Sequence, residues 1–408
     1  MPLTAKRFTR GTHRVSSPEE TRARVLPLFA PLGITRVANV TGLDVIGIPV
    51  VAVYRPNARS LSVAQGKGTS LVAAEVSGIM ESLEFFHAEN VSEPLLFGSY
   101  EQLRYVHALM EPESLPKSQV GRFSPDLKLP WIRGVELVAE AACWVPYELV
   151  HTDFTLPLPA GSGCFPMTSN GLASGNHLWE AVSHGLSEVV ERDAATLFSL
   201  LSPEQRAARR VDPESVDDPE CRTLLAAYER AGVVVALFDM TSDTEIAVFR
   251  AVIADRELDP ARPLAPSTGT GCHPSRNIAL SRALTEAAQA RLTVIAGSRD
   301  DLPRARYDHA ADLTRLHQLR ERVLNGIPRR SFEAVPNFES ESIGEDVAWQ
   351  KEQLVAAGIR NIVVIDLTKP EFGIPVARVV VPELEPARDV PGWVPGRRAQ
   401  AALARRAA

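Results

Sequence analysis

The stretch from Thr168 to Ala194, TSNGLASGNHLWEAVSHGLSEVVERDA, leaves few options for the chain around it. A turn rich in Gly, Ser and Asn feeds a run with helical spacing. With a helix start near Asn176, Glu180, His184, Glu188 and Glu191 fall at steps of four, four and three and share one stripe. Leu178, Val182, Leu186, Val189 and Val190 cover much of the remaining circumference, which predicts a largely buried helix. Acids placed there must meet cations or a metal. The competing reading is a solvated face that happens to carry a few acids.

A second copy of the pattern weighs against that alternative. Gly68 is followed thirteen residues later by Glu81 and then Glu84, and Gly175 is followed thirteen residues later by Glu188 and then Glu191. Both turns, SVAQGKGTS and TSNGLASGN, are rich in Gly and hydroxyl residues, and both Glu-x-x-Glu pairs sit among apolar residues. An internal half-repeat follows. Carboxylate oxygens are hard ligands that suit Mg²⁺, an ion commonly shared with substrate phosphates. Gly-rich turns let backbone N–H groups approach phosphate oxygens, and a helix N-terminus adds a favourable dipole. The pattern points to a nucleotide-phosphate site.

A third Gly-rich turn, in Ser267–Asp301, feeds another helix carrying Arg282, Glu286 and Gln289 on one face. An Arg whose fork is fixed by a neighbouring Glu suits a phosphate contact, and the same spacing also describes a surface pair. Arg291 points away from this stripe.

The 408 residues are enough for a large core in one domain or two, and a hydrophobic content of 45% with 23% charged residues is that of a globular protein. A net charge of −6, with no basic patch interleaved with aromatics, gives no reason to expect nucleic acid. The opening MPLTAKRFTRGTHR has no apolar core and no run of eighteen apolar residues occurs, so the expectation is a cytoplasmic chain with no membrane span. Cys143, Cys164, Cys221 and Cys272 are too scattered for a zinc site or a disulfide framework. Cys164 and Cys272 adjoin Gly-rich segments, as thiols near the site or as small structural residues.

In chain order, Ser17-Pro18-Glu19-Glu20 opens a helix to about Leu32, and Thr35–Tyr54 holds two strands. A helix is expected over Tyr100–Met110, a surface loop from Glu111 to Lys128, and strands near Val135–Val145. PEQRAARRVDPESVDDPE reads as an exposed connector. A helix over Cys221–Ala231, two strands, helices over Asp308–Leu324 and Ile343–Ala357, and strands NIVVIDLT and PVARVVV complete an α/β or α+β alternation. From Pro386 a poorly packed tail is expected.

Taken together, QGKG with SGIMESLE, SNGLASGN with EAVSHGLSEVVERDA, and GTGCHPS with ALSRALTEAAQAR and GSRDD resemble the three sequence blocks of the YcaO superfamily, in order. PVARVVVPELE is similar to its closing strand. The resemblance implies mixed sheets flanked by helices, with an ATP and Mg²⁺ site between two helix-loop half-repeats. It implies a catalytic domain over 61–385, preceded by an extension over 1–60 and followed by a Pro-, Arg- and Ala-rich tail over 386–408. It implies that a peptide backbone amide is attacked by a nucleophile, that ATP phosphorylates the resulting oxyanion, and that phosphate leaves. By motif match, Glu81, Glu84, Glu188 and Glu191 would hold Mg²⁺, and Lys67, Asn170, His184, Arg192, Arg282, Glu286 and Gln289 would belong to the nucleotide site. His184 stands where many relatives carry Gln, so its role is open. No general base is assigned.

The opening segment RGTHRVSSPEETRARVLPLFAPLGITRVANVTGLDVIGIPV looks like members that pair with a TfuA-like protein and install a backbone thioamide using sulfide or another sulfur donor. The azoline-forming members commonly carry a fused or partner E1-like domain and a Pro-x-Pro-x-Pro ending, neither of which is read here. Thioamidation of a ribosomally made peptide or protein is therefore expected. The alternatives are azoline or macroamidine formation and, without chemistry, a peptide-binding scaffold. The assembly is left open, a homodimer among the options.

Overall fold

The computed structural model describes residues 4–119, 121–159, 161–259, 263–301, 312–390 and 392–407. Its strands form three antiparallel sheets. The first has the order β1 (Arg36–Asn39), β2 (Val50–Tyr54), β3 (Val63–Lys67). The second runs β4 (Leu95–Ser99), β5 (Lys128–Glu136), β12 (Val363–Asp366), β13 (Val376–Val380), β7 (Leu172–Ser174), with β6 (Ala141–Pro146) on the other side of β5. The third has the order β11 (Ser267–Cys272), β10 (Val248–Asp255), β9 (Val233–Asp239), β8 (Arg210–Val211). The mixed α/β architecture expected from the sequence is what the chain adopts.

The strand that ends each sheet, β3, β7 or β11, feeds a long helix: α3 (Leu71–Glu89), α5 (Leu178–Leu200) and α8 (Arg276–Ala296). The remaining described helices are α1 (Pro18–Val25), α2 (Phe29–Leu32), α4 (Tyr100–Leu103), α6 (Pro203–Ala208), α7 (Pro219–Arg230), α9 (Leu313–Leu324), α10 (Ile343–Ala356) and α11 (Arg397–Ala407). Glycine sets how closely the long helices lie on their strands. A Cβ at Gly66 would meet Ala74 O at 1.9 Å, and one at Gly271 would meet Ala279 O at 2.2 Å. Only a residue without a side chain allows that approach.

Contacts between units close a ring. α3 packs on β7, α5 on β11 and α8 on β3. The two half-repeats expected from the sequence are thus joined by a third unit of the same kind.

Four expectations need correction. The helix opened by Ser17 breaks at Val25 because Pro27 and Pro31 deny it N–H donors, and Gly33 ends it at φ 72°. The helix from Tyr100 stops at Leu103, where the chain turns so that Leu109 can bridge to Trp144. The connector after α5 is not all exposed: Arg210 and Val211 are buried as β8, and Asp218 caps α7. The tail forms α11, whose Ala399 is fully buried and whose Arg398 grips Asp193 of α5 through Nε and Nη2 at 2.9 and 3.0 Å. The start of the helix expected from Asp308 lies outside the described residues, which show it from Leu313 with Asp312 as its cap.

Candidate functional site

The ring of three helices encloses a cavity of about 730 Å³. Counted from the capping residues Ser70, His177 and Ser275, the seventh position holds Ser77, His184 and Arg282. The eleventh holds Glu81, Glu188 and Glu286, and the fourteenth Glu84, Glu191 and Gln289. All nine line the cavity. At a rise of about 1.5 Å per residue, the seventh position lies roughly one turn, about 6 Å, before the first carboxylates.

Two further regularities fix these side chains. Within a unit, the strand residue five before the cap donates its N–H to the eleventh residue: Gln65 to Glu81 at 3.1 Å and Thr270 to Glu286 at 3.1 Å. Between units, the fourteenth residue bonds to the next strand. Glu84 accepts from Ser174 N and Oγ at 2.8 and 2.6 Å, Glu191 accepts from Thr270 Oγ1 at 2.6 Å, and Gln289 Nε2 donates to Gln65 O at 2.6 Å. Glu81, Glu84, Glu191 and Glu286 are therefore positioned by backbone and hydroxyl donors.

Not every acid at this depth has a cation in contact: among the described residues no ion pair reaches Glu81 or Glu84. Lys67 Nζ bonds to Glu286. Arg192 reaches Glu191 at 3.3 Å and Glu188 at 3.7 Å. Burial pushes the Glu84 carboxyl up to about 8 despite the Ser174 donors, with Glu81 and Glu188 adding to the rise. Burial pushes Glu188 up to about 7 against the pull of Arg192. Glu81 and Glu191 are raised for the same first reason. Glu286 is half-buried, and Lys67 and Arg192 hold it below the usual carboxylate range. Carboxyls that cannot ionise together fit a site completed by a divalent cation, which supplies the missing positive charge.

Of the residues singled out from the sequence, Lys67, Glu81, Glu84, His184, Glu188, Glu191, Arg192, Arg282, Glu286 and Gln289 all line this cavity. Asn170 does not; its neighbour Ser169 does, and Asn170 Oδ1 is buried without a hydrogen-bond partner. Cys164 and Cys272 are buried free thiols outside the lining, so neither serves as a nucleophile there. Arg291 is turned away, into buried ion pairs with Asp44 and Asp255 at 2.9 Å each.

Sequence reasoning missed the N-terminal arm. Phe8, Arg10, Thr12, Arg14 and Ser16 line the cavity, and Arg14 Nη1 and Val15 N donate to the buried Glu180 at 3.2 and 3.0 Å. It also missed Arg378 on β13, a buried guanidinium near Glu188 that donates to Thr168 O at 2.7 Å. Ser174 and Thr270, which bond to Glu84 and Glu191, stand three and five residues before their helix caps, so the repeat did not single them out.

Lys6, His13, His273 and Asp346 anchor the arm. One ligand atom each of His13, His273 and Asp346 lies within 4.8 Å of the others. Lys6 Nζ donates to Asp346 Oδ1 at 2.9 Å, and His273 Nδ1 accepts the Ser275 N–H at 3.0 Å, which leaves the imidazole proton on Nε2. A metal-bound imidazole normally donates through its second nitrogen; here Ser275 holds His273 and Lys6 holds Asp346, while His13 meets the His273 ring edge-on at 5.2 Å.

A family model described as YcaO cyclodehydratase, ATP- and Mg²⁺-binding, matches residues 65–385. A Rhizobium leguminosarum bv. trifolii protein described as an uncharacterized protein in the tfuA 3′ region is 40% identical over 385 residues, covering 91% of this chain and 88% of that protein. A protein of Methanothermobacter thermautotrophicus is 34% identical over 379 residues, covering 90% and 94%. Among solved structures, YcaO from Methanopyrus kandleri bound with AMPPCP and Mg²⁺ superposes with a TM-score of 0.74 at 22% identity, covering 97% of this chain and 100% of that one. A heterocyclase in complex with substrate and cofactor gives 0.75 at 23%, this chain spanning 54% of its length.

Proposed function

The chain belongs to the YcaO family, and from that premise we propose that it activates a peptide backbone amide with ATP and Mg²⁺ so that sulfur can replace the amide oxygen. Members of the family are ATP-dependent peptide-modifying enzymes, and the matched domain is of an ATP- and Mg²⁺-binding type. The observation that carries the reading here is the ring of carboxylates Glu81, Glu84, Glu188 and Glu191, Glu191 buried and the others half-buried, lying beside Lys67, Arg192 and Arg282, with no ion pair to Glu81 or Glu84 among the described residues. Those four acids would hold Mg²⁺. Lys67, Arg192, Arg282, Glu286, Gln289, His184 and, from just outside the lining, Asn170 are the nucleotide-site candidates. The bound ion would neutralise phosphate charge and orient the transferred phosphoryl group. The chain's own residues tether the carboxylates and enclose the amide.

The extension over 1–60, which contributes the arm, and the relative from the tfuA 3′ region support thioamide formation with a TfuA-like partner. Residues 61–385 would form the catalytic domain and 386–408 its tail, whose α11 is clasped onto α5 through Arg398. Incubation with ATP, Mg²⁺, sulfide, a candidate peptide and a TfuA-like protein tests the proposal. A product heavier by sulfur minus oxygen supports it. Loss of one water would favour the azoline-forming reaction carried out by heterocyclase relatives, and binding without turnover would favour a scaffold.

A further inference from the structure

Resting on the amide-activation reading, we propose that Gln289 holds the substrate by the N–H of the peptide bond to be modified, at the corner of the ring where a carboxamide stands in place of a carboxylate. The fourteenth residue of each long helix reaches the next strand, which makes three equivalent corners: Glu84 on Ser174, Glu191 on Thr270 and Gln289 on Gln65. The first two carry carboxyl groups that can ionise. The third is neutral at every pH, so it offers a cation no charge and suits a neutral amide. Its orientation is fixed. A backbone carbonyl can only accept, so the Gln289 nitrogen must face Gln65 O, at 2.6 Å, and the free end of the carboxamide is Oε1. No described residue donates to that oxygen, and Gln289 lines the cavity.

The cavity has room at this corner. On α3 and α5 its lining ends at Phe85 and Arg192, the fifteenth positions, whereas on α8 it runs on through Ala290 to Thr293 and Val294, four residues or about 6 Å further. That added wall is uncharged. Arg299 and Asp301, which follow α8 into the lining, are paired with each other at 2.6 and 2.8 Å. A trans peptide bond carries its N–H and C=O on opposite sides. With the N–H on Gln289 Oε1, the carbonyl oxygen lies about 5 Å from that atom, on the side of the corners whose carboxylates would hold the cation. The contact therefore selects both the group and its direction. A bond preceding proline has no N–H to offer and would be refused.

The test is a titration of N-methylacetamide, a minimal peptide bond, followed by saturation-transfer NMR on the full-length protein loaded with Mg²⁺ and AMPPCP. N,N-Dimethylacetamide, which has no N–H, is the paired probe. The expected result is saturable binding of the first amide, at least fivefold weaker binding of the second, and loss of that preference in Gln289→Leu while AMPPCP affinity falls by a smaller factor. Equal binding of the two amides by the parent protein, or binding of neither, overturns the proposal without recourse to any variant. A loss of AMPPCP affinity in Gln289→Leu as large as the loss of amide binding also overturns it, since the residue would then serve the nucleotide. Absence of Mg²⁺-dependent AMPPCP binding by the parent would instead sink the amide-activation reading itself, so the two failures are distinguishable.

Discussion

Glu84 and Glu188, raised to about 8 and about 7, hold protons in the folded protein at pH values where the unfolded chain, titrating near 4.5, has lost them. The folded state then binds more protons than the unfolded one, so stability falls as pH rises from about 4.5 to about 8. Thermal unfolding of the protein without Mg²⁺ or nucleotide should show that decline, and Glu84→Gln should flatten its upper part; a curve that rises through this window would count against the burial described. Because ligation requires deprotonated carboxylates, Mg²⁺ with AMPPCP should release protons, visible as a buffer-dependent calorimetric enthalpy. Glu188→Gln and Glu191→Gln should each lower Mg²⁺-dependent turnover by about 100-fold or more, since even residues one layer behind a metal's ligands cost about 10- to 100-fold. These acids were legible in the sequence because helical spacing set them on one stripe. Arg14 and Arg378 were not, since each reaches the site from a distant segment by tertiary packing alone.

Among the elements, β3–α3, β7–α5 and β11–α8 were readable as Gly-rich turns followed by spaced polar residues. Their equivalence as three members of one ring was not, because Gln289 stands where the other two units have Glu, and the contacts from each helix to the next strand leave no local pattern. Gly271→Ala should destabilise the protein by about 1–3 kcal/mol, as inserted atoms do in a packed seam, and weaken AMPPCP binding by displacing Arg282 and Glu286; denaturant titration and calorimetry measure the two. Helix α11 was read as loose tail because Arg and Ala carry little apolar surface. Its docking depends on partners elsewhere: Asp193, and Glu385, which accepts from Gly396 N and Ala399 N at 3.0 and 2.9 Å. Arg398→Ala leaves the wholly buried Asp193 without its cation and should cost about 3 kcal/mol in denaturant unfolding.

At the scale of the molecule, three sheets from separate parts of the chain each contribute one helix to a shared centre, and the arm covers it. Deleting residues 1–16 should leave the far-ultraviolet spectrum nearly intact while lowering turnover, since the arm lines the cavity. Collapse of the spectrum would instead make the arm part of the folding core. The glycine seams have one more consequence. Backbones pressed together without intervening side chains cannot spread, and Glu81, Glu84 and Glu191 are tied at their carboxylate oxygens by Gln65, Ser174 and Thr270. An ion of larger radius, such as Ca²⁺, wants more oxygens at about 2.3–2.6 Å, whereas Mg²⁺ wants fewer at about 2.0–2.1 Å; a frame this stiff sorts the two by size.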